Sequence, residues 1–436
     1  AAVGFLVIPK IFGGSSGDVP KELFYLKDDA LYGVSLKNSK QEPVEYTDEL
    51  GSGASRVLAL TPQISKNGKY RFFIEDAEYD SNTGDVVYDL YYQKGKDDPE
   101  RIESSVEGAY RLTDDNHVIY RKNGSLYISD LKDEEKIDSD VVDFYIDEDE
   151  KNILWCVNAG DEFGYDLYYR DLAMKKDEVK IESDARIEAR NGDMSKILLN
   201  KDGSLYLVKN QEESEKVASD VASVYSVDLE KETFFYSTFV ESTASAMDYV
   251  EDDLAASDAQ ITEPNRADYE RQEPSYFGMT RTVVDDAYYD AMDAYEEKEN
   301  RDWLRESLAT QEIDNSYTEL YYVAEGQETL VTDHLMDVIS SATVNSSTRE
   351  KNKDFGSYLL YTKVNPENVS VKFSQIESVG DVTSKVYESM SGEAETYVYA
   401  GGQEAAVDMD DISMIDRGID VKNNRLYLLM VDTEKG

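Results

Sequence analysis

Cysteine is nearly absent. Cys156 is the only one in 436 residues. No intrachain disulfide can form, and neither a Cys-rich zinc site nor an iron–sulfur centre can be built. Cys156 lies in the apolar run Ile153-Leu154-Trp155-Cys156-Val157, which reads as a buried strand. Histidine is limited to His117 and His334, with no His-x-x-x-His spacing for a zinc protease. Each reads as a loop or capping residue. Proline, at 8 residues, excludes collagen-like and Pro-rich linker classes. Positive charge is also short: 45 Lys plus Arg face 92 Asp plus Glu, a net charge of −47. That excludes a DNA- or RNA-binding role, which needs clustered cations against phosphate. It also excludes charge-driven docking on an anionic membrane. The motifs of several enzyme classes are missing as well. There is no Gly-x-Ser-x-Gly elbow, no phosphate-binding Gly-x-x-x-x-Gly-Lys-Ser/Thr and no dinucleotide-binding Gly-x-Gly-x-x-Gly.

What is present is a globular chain. Hydrophobic residues make up 40%, enough for a large core, so disorder throughout is excluded. Tyrosine is abundant at 33, against 13 Phe and 2 Trp. It suits half-buried strands that keep the ring inside and the hydroxyl near water.

Two markers repeat along the chain. A Leu-Tyr pair recurs at Leu31-Tyr32, Leu90-Tyr91, Leu126-Tyr127, Leu167-Tyr168 and Leu205-Tyr206, with later copies at Leu320-Tyr321 and Leu426-Tyr427. A second marker recurs at Ser104-Ser105, Ser139-Asp140, Ser183-Asp184 and Ser219-Asp220, with Thr332-Asp333 as a further candidate. The period is roughly 40 residues, and each unit reads as four short strands. In residues 141–184 these are predicted at 141–146, 153–157, 165–171 and 178–181. Asn123-Gly124 and Asp202-Gly203 before Leu-Tyr are tight hairpin signals. A four-stranded unit of this length, apolar on both faces of its middle strands, is the period of a β-propeller blade. The alternatives fit less well: a β-sandwich would not repeat so regularly, and a solenoid coil would be shorter.

The segment Ile64-Ser65-Lys66-Asn67-Gly68-Lys69-Tyr70-Arg71-Phe72-Phe73 resembles the Ser-Pro-Asp-Gly-Lys blade signature of TolB-type, WD40-like propellers, with Lys-Asn in place of Pro-Asp. The Asn/Asp-Gly-Ser-Leu-Tyr copies resemble uncharacterised membrane-anchored propeller proteins of Clostridia-type bacteria. The likeness covers about residues 20–235, carries no catalytic residues across, and lacks the WD40 Gly-His and Trp-Asp pairs. The expected fold is all-β: a seven- or eight-bladed propeller over 20–436 with an acidic, partly helical insertion. The expected blades are 20–50, 57–105, 106–140, 141–184, 185–220, 221–334, 335–407 and a partial unit at 408–436. Residues 412–415 are a candidate first strand for 20–50, so that the two ends close the ring together.

Residues 1–19 stand apart. Ala1–Phe12 is apolar but too short to span a bilayer, and Gly13-Gly14-Ser15-Ser16-Gly17 follows as a flexible linker. This reads as the end of a membrane anchor, the alternative being a strand or short helix packed on the domain. With the resemblance, it places the protein on the extracellular face of a bacterial cell envelope, touching membrane only through that anchor. At the other end, the expectation is that strands continue past Gly436.

Residues 241–319 form the insertion, with 22 acidic and 6 basic side chains. Residues 285–308 are predicted helical, with Tyr288, Met292 and Tyr295 at i, i+4 and i+7 and then Leu304 and Leu308. Asp285 and Asp286 suit the positive end of the helix dipole. Ser245–Leu254 is expected to be a shorter helix, and Val382–Gly392 a second, smaller insertion. Tyr276, Phe277, Tyr288, Tyr295 and Trp303 are the candidate partner-binding residues. The competing reading packs the helical stripe on a blade edge. Asp147 and Asp149, in an acidic turn, are a candidate Ca²⁺ pair, although the Gly and downstream Glu of an EF-hand loop are missing. No other cofactor is expected.

The resulting functional expectation is a non-catalytic envelope module that binds a protein, peptide or glycan. A structural surface-assembly component and a carboxylate-based glycan-active enzyme are the alternatives.

Overall fold

A computed structural model describes residues 22–27, 30–35, 42–47, 63–81, 84–160, 164–212, 214–342, 358–407, 412–420 and 425–432. The stub at 1–19 and the ends of the chain lie outside these. The described chain divides into two compact units, 1–217 and 218–436.

Both units are built from antiparallel meanders. In the first unit, strands Glu22–Lys27, Ala30–Ser35 and Val44–Thr47 form a three-stranded sheet. Next come Gln63–Ile64, Tyr70–Tyr79, Val86–Lys94, Glu100–Leu112, Val118–Lys122, Ser125–Ser129 and Glu134–Asp138, in strict sequence order. The following seven repeat this order: Val141–Ile146, Asn152–Asn158, Tyr165–Asp171, Val179–Arg190, Lys196–Lys201, Ser204–Lys209 and Glu215–Ala218. The expected blade boundaries at 105/106 and 184/185 therefore fall inside the continuous strands Glu100–Leu112 and Val179–Arg190. Each long strand closes one meander with its first half and opens the next with its second. The marker residues make this passage. Ser105, Asp140, Asp184 and Asp220 all have φ between +52° and +57°, a left-handed kink that Asp tolerates better than most residues.

In the second unit, Val221–Asp228, Thr233–Val240, Tyr317–Ala324 and Gln327–Thr332 form one four-stranded sheet. Leu335–Ala342, Tyr358–Lys363, Glu395–Ala400 and Gln403–Val407 form the next, and Ile412–Asp420 pairs with Arg425–Asp432. The fold is thus all-β and built of propeller-type blades.

The Leu-Tyr repeat has a direct physical meaning. Successive strand residues point to opposite faces, so Leu and Tyr serve two different layers. Leu31, Leu90, Leu126, Leu167, Leu205 and Leu320 are all essentially without solvent contact. Each adjoining Tyr faces a residue directly across the ladder. Phe73 pairs with Tyr91, Tyr120 with Tyr127, Trp155 with Tyr168 and Tyr236 with Tyr321. Their rings stack at 5.9, 5.9, 5.7 and 5.2 Å, within the range for attractive aromatic pairs. Hydrophobic clusters then run from sheet to sheet. Ile119, Leu126 and Ile128 pack with Val141, Phe144, Ile153 and Trp155.

Tyrosine hydroxyls are held by acids on the neighbouring strand or the one beyond. Tyr120 donates to Glu134 at 2.6 Å, and Tyr236 and Tyr361 donate to Glu328 and Glu404. Burial first, and the carboxylate second, raise all three phenols far above their ordinary value.

The turn that resembles the TolB signature is not unique to 65–69. The turns starting at Ser65, Thr113, Asp147 and Asn191 share one geometry. In each, the N–H of the fourth residue donates to the carbonyl of the first, at 2.8, 3.0, 3.0 and 3.1 Å. The fourth residue is left-handed in every copy: Gly68, Asn116, Glu150 and Met194.

One feature departs from expectation. Ser245–Leu254 is not a helix. It is one 3₁₀ turn, Ala246–Tyr249, capped by Ser245 and Asp248, followed by the short strand Val250–Glu251. The predicted helix at 285–308 spans Asp286–Thr310 with Asp285 as its N-cap.

Two predictions follow from packing and titration. A Cβ on Gly164 would lie 2.6 Å from Asp184 backbone atoms. Gly164→Ala is therefore expected to cost about 1–3 kcal/mol in urea unfolding; an unchanged midpoint would refute the close approach. Because the buried tyrosines have folded pKa values above the unfolded value of about 10, their stabilisation is complete below that pH and lost as pH rises beyond it. Tyrosinate absorbance should then appear together with loss of β circular dichroism. A smooth titration centred near pH 10 in the folded protein would contradict this.

Candidate functional site

Both departures from the plain meander occur at the same blade position. Residues 241–316 leave after Thr233–Val240 and return at Tyr317–Ala324, between the second and third strands of their sheet. Residues 364–394 leave after Tyr358–Lys363 and return at Glu395–Ala400, also between second and third strands. The second segment carries helix Val382–Gly392. Equivalent exits in successive blades bring the two segments side by side, and they share a core. Ala246, Tyr249, Leu304, Leu308 and Ile313 pack with Val364, Val371, Phe373, Val382 and Val386. Val250–Glu251 and Val371–Lys372 pair in parallel, and Thr243–Ser245 pairs with Glu312–Asp314 at the base.

An ionic network locks the long helix to this base. Asp258, only 4% exposed, accepts from Arg301 Nη2 at 2.7 Å and Arg305 Nη2 at 2.7 Å. Arg305 also reaches Asp252 at 2.7 Å and Asp302 at 2.8 Å, and lies 4.5 Å from the Phe373 ring centroid. The Arg301 hydrogen bond lowers the Asp258 carboxyl below its ordinary range, and Arg305 does the same to Asp252. The i, i+4 spacing of Arg301 and Arg305 was a readable signal; the acids that meet them come from another stretch of chain.

The predicted stripe divides along its length. Leu304 and Leu308 are buried in the shared core. Tyr288 and Tyr295 are half-buried, with Tyr288 against Tyr269 at 5.8 Å and Tyr289 at 5.5 Å. Trp303 is 66% exposed, Tyr289 57%, and on the Glu270–Pro274/Thr280–Val284 hairpin and its turn Tyr276 is 88% and Met279 65% exposed. The Phe277 side chain lies outside the described residues. From Tyr288 to Trp303 the helix rises roughly 22 Å at about 1.5 Å per residue. The described candidate residues are thus spread along the helix and the hairpin and not gathered in one pocket.

Asp147 and Asp149 are not brought together as a ligand pair. Asp147 is buried and caps the third copy of the repeated turn. Its Oδ1 accepts from Lys151 N at 2.6 Å and Asn152 N at 3.0 Å, and its Oδ2 from Asn152 Nδ2 at 2.6 Å. Asp149 pairs with Lys151 Nζ at 2.7 Å. Among the described residues, no three Asp, Glu, His or Cys side chains converge as a metal site.

No known protein family matches the chain, and no curated protein does. Solved structures do show similarity in fold. Porphyromonas gingivalis dipeptidyl peptidase 4 is 8% identical, with a TM-score of 0.40 over 88% of this chain and 51% of that one. The propeller domain of the Trilobed protease from Pyrococcus furiosus is 9% identical, with a TM-score of 0.30 over 83% and 86%. A putative TolB from Agrobacterium tumefaciens is 12% identical, with a TM-score of 0.25 over 46% and 77%. The chain spans about half the length of the dipeptidyl peptidase. No residue here takes a role from these proteins.

Loss of the Asp258 carboxylate leaves two arginines facing each other. Asp258→Asn is expected to cost about 3 kcal/mol and to lower hydrogen-exchange protection in Asp286–Thr310. The same protection should persist above pH 4 and fall as pH drops below it, because the folded carboxyls titrate below their unfolded value of about 4. Unchanged exchange in that helix on both counts would show that the network does not hold it.

Proposed function

We propose that this protein is a non-catalytic binding module, and that its appendage, residues 241–316 with 364–394, receives a partner protein or peptide. The observation that carries this reading is the set of exposed aromatic and thioether side chains, Tyr276, Met279, Tyr289 and Trp303, on an element with its own buried core. Large apolar side chains held in solvent on a rigid support mark contact surfaces. The setting is acidic, with 22 acids and 6 bases in 241–319. The complementary partner is an extended or helical segment combining apolar anchors with Lys and Arg, and acidic surroundings steer such a segment in. We further propose that the module is displayed on the outer face of a bacterial envelope through its N-terminal segment. Among the described residues, no helix is long and apolar enough to cross a membrane.

A displayed peptide library screened against the whole chain tests the reading. Basic, apolar-anchored peptides should be enriched, and the Trp303→Ala/Tyr276→Ala double variant should bind them about 30-fold more weakly, the loss of one aromatic anchor worth about 2 kcal/mol. Its unfolding midpoint should not move. Equal binding by the variant, or selection of glycans and not peptides on a parallel array, would overturn the assignment. Self-association of the purified chain through the same residues would replace it with a surface-assembly role.

A further inference from the structure

The appendage carries a β-ribbon with an open side. Strands Glu270–Pro274 and Thr280–Val284 pair with each other and, among the described residues, with no third strand. The turn Tyr276–Gly278 joins them, with Gly278 left-handed at φ +74°. The ribbon is fixed at its root. There the Asp285 N–H donates to the Tyr269 carbonyl at 2.9 Å, and Tyr269 packs on Tyr288 of the long helix.

Two backbone bonds set the phase of the ladder. The Ser275 N–H donates to the Met279 carbonyl at 2.7 Å beside the turn, as Asp285 does to Tyr269 at the root. Hydrogen-bonded pairs alternate with non-bonded ones in an antiparallel ladder. The register then makes Glu273 with Arg281, and Arg271 with Val283, the bonded pairs. Glu270, Gln272 and Pro274 turn their backbone groups outward on one edge, and Thr280, Thr282 and Val284 do so on the other. The bond from Gln272 Nε2 to Thr282 Oγ1, 2.9 Å, fits a non-bonded pair, whose side chains lie closer.

The two edges are not equivalent. Pro274 has no N–H at a position where an incoming strand needs a donor, which closes the first edge. The second edge keeps every N–H and C=O. Among the described residues, nothing bonds to the outward backbone groups of Thr280, Thr282 and Val284. Thr280, Thr282, Val283 and Val284 are β-branched and suit an extended chain. Charge on an edge discourages pairing, but the one charge here, Arg281, is already tied to Glu273 at 3.2 Å. Thr280 and Thr282 are exposed.

Charge selects the occupant. Asp286, Asp290 and Asp293 stand exposed on the helix that follows this edge, and among the described residues no Lys or Arg pairs with them. A second copy of the chain would set this excess of acid against itself, whereas a segment bearing Lys and Arg is attracted.

We propose that the edge of Thr280–Val284 takes up an extended, basic segment of a partner protein as a third strand. Main-chain bonds to Thr280, Thr282 and Val284 supply affinity, and the partner's side chains supply specificity. Tyr276 and Met279, exposed beside the start of that edge, meet its apolar residues, and the three aspartates meet its Lys and Arg. This rests on the appendage being the partner-binding face, and names the form in which the partner is held.

Calorimetry of the full chain with the acetylated, amidated hexapeptide Lys-Val-Lys-Tyr-Lys-Val tests it, against the same peptide N-methylated at every residue. Side chains and charge are identical, so the pair isolates the main-chain donors. The parent should bind saturably, and the methylated peptide about tenfold more weakly or worse, the effect of losing backbone hydrogen bonds. Thr282→Pro removes the central donor of the open edge without touching a bonded pair of the ribbon, and should weaken the parent about tenfold. Gln272→Pro makes the same change on the closed edge and should leave binding unchanged. Equal binding of the two peptides would overturn the proposal. So would full retention in Thr282→Pro, an equal loss in Gln272→Pro, no saturable binding of the parent, or a dimer of the chain that Thr282→Pro dissolves. Binding that resists Thr282→Pro yet falls in the Trp303→Ala/Tyr276→Ala variant would remove strand addition and leave the partner-binding reading standing. A displayed library that enriches no peptide would remove that reading itself. The two peptides on the wild-type chain decide the matter even if a variant does not fold.

Discussion

Everything in this structure depends on middle strands that have no solvent side. Val118–Arg121, Ile153–Cys156, Ile197–Leu199 and Tyr358–Tyr361 are buried residue after residue, so both faces of the sheet must be covered. A single four-stranded meander covers neither. The clusters that form are consequently shared between sheets, as where Leu154, Cys156 and Leu167 pack with Ile197, Leu199 and Val208. Such sharing fixes the spacing of the repeat, because each sheet must deliver its Leu and its aromatic pair at the same depth.

Much of this was legible. The Leu-Tyr spacing gave the blades because the buried Leu and the stacked Tyr are both obligatory, and Asn-Gly and Asp-Gly gave hairpins because both central residues are left-handed: Asn123, Gly124, Asp202 and Gly203. Other features were hidden by residue identity. The repeated turn was visible only at Ser65–Gly68, where a glycine fills the left-handed position. At Glu150 and Met194 that position is held by residues that do not advertise it, and Asp147 looked like a metal ligand when it is a turn cap. The Ser-Asp marker was readable as a repeat, but its role as the kink between blades needs backbone geometry. Placing boundaries at 105/106 and 184/185 split two strands that run straight through.

The appendage was half legible. The long helix followed from its periodicity and its Asp285 cap. Its base did not, because the residues that bury Leu304 and Leu308 come partly from Ala246 and Tyr249, far upstream, and partly from Val364–Val386, about 60 residues downstream by sequence count. Local periodicity shows that a face needs covering without saying what covers it. Two insertions at one blade corner gain stability together that neither short segment holds alone, since each supplies only a few apolar side chains. With its own core in place, the appendage can leave Trp303 and Tyr276 in water without losing its shape.

Arginine use follows from the same division between inside and outside. With 92 acids on the chain, the exposed bases need only meet nearby carboxylates, as Lys66 does with Asp114 and Lys180 with Asp166. Interior positions ask for more. An ammonium is strongly hydrated and resists burial, whereas a guanidinium is weakly hydrated, stacks on rings and holds several acceptors in one plane. Arg305 does this within the appendage, engaging Asp252, Asp258, Asp302 and the Phe373 ring. Arg121 does it in the strand Val118–Lys122, tying Asp85 to two backbone carbonyls of the next blade. In both places the guanidinium replaces water with several fixed acceptors, which an ammonium would do less well.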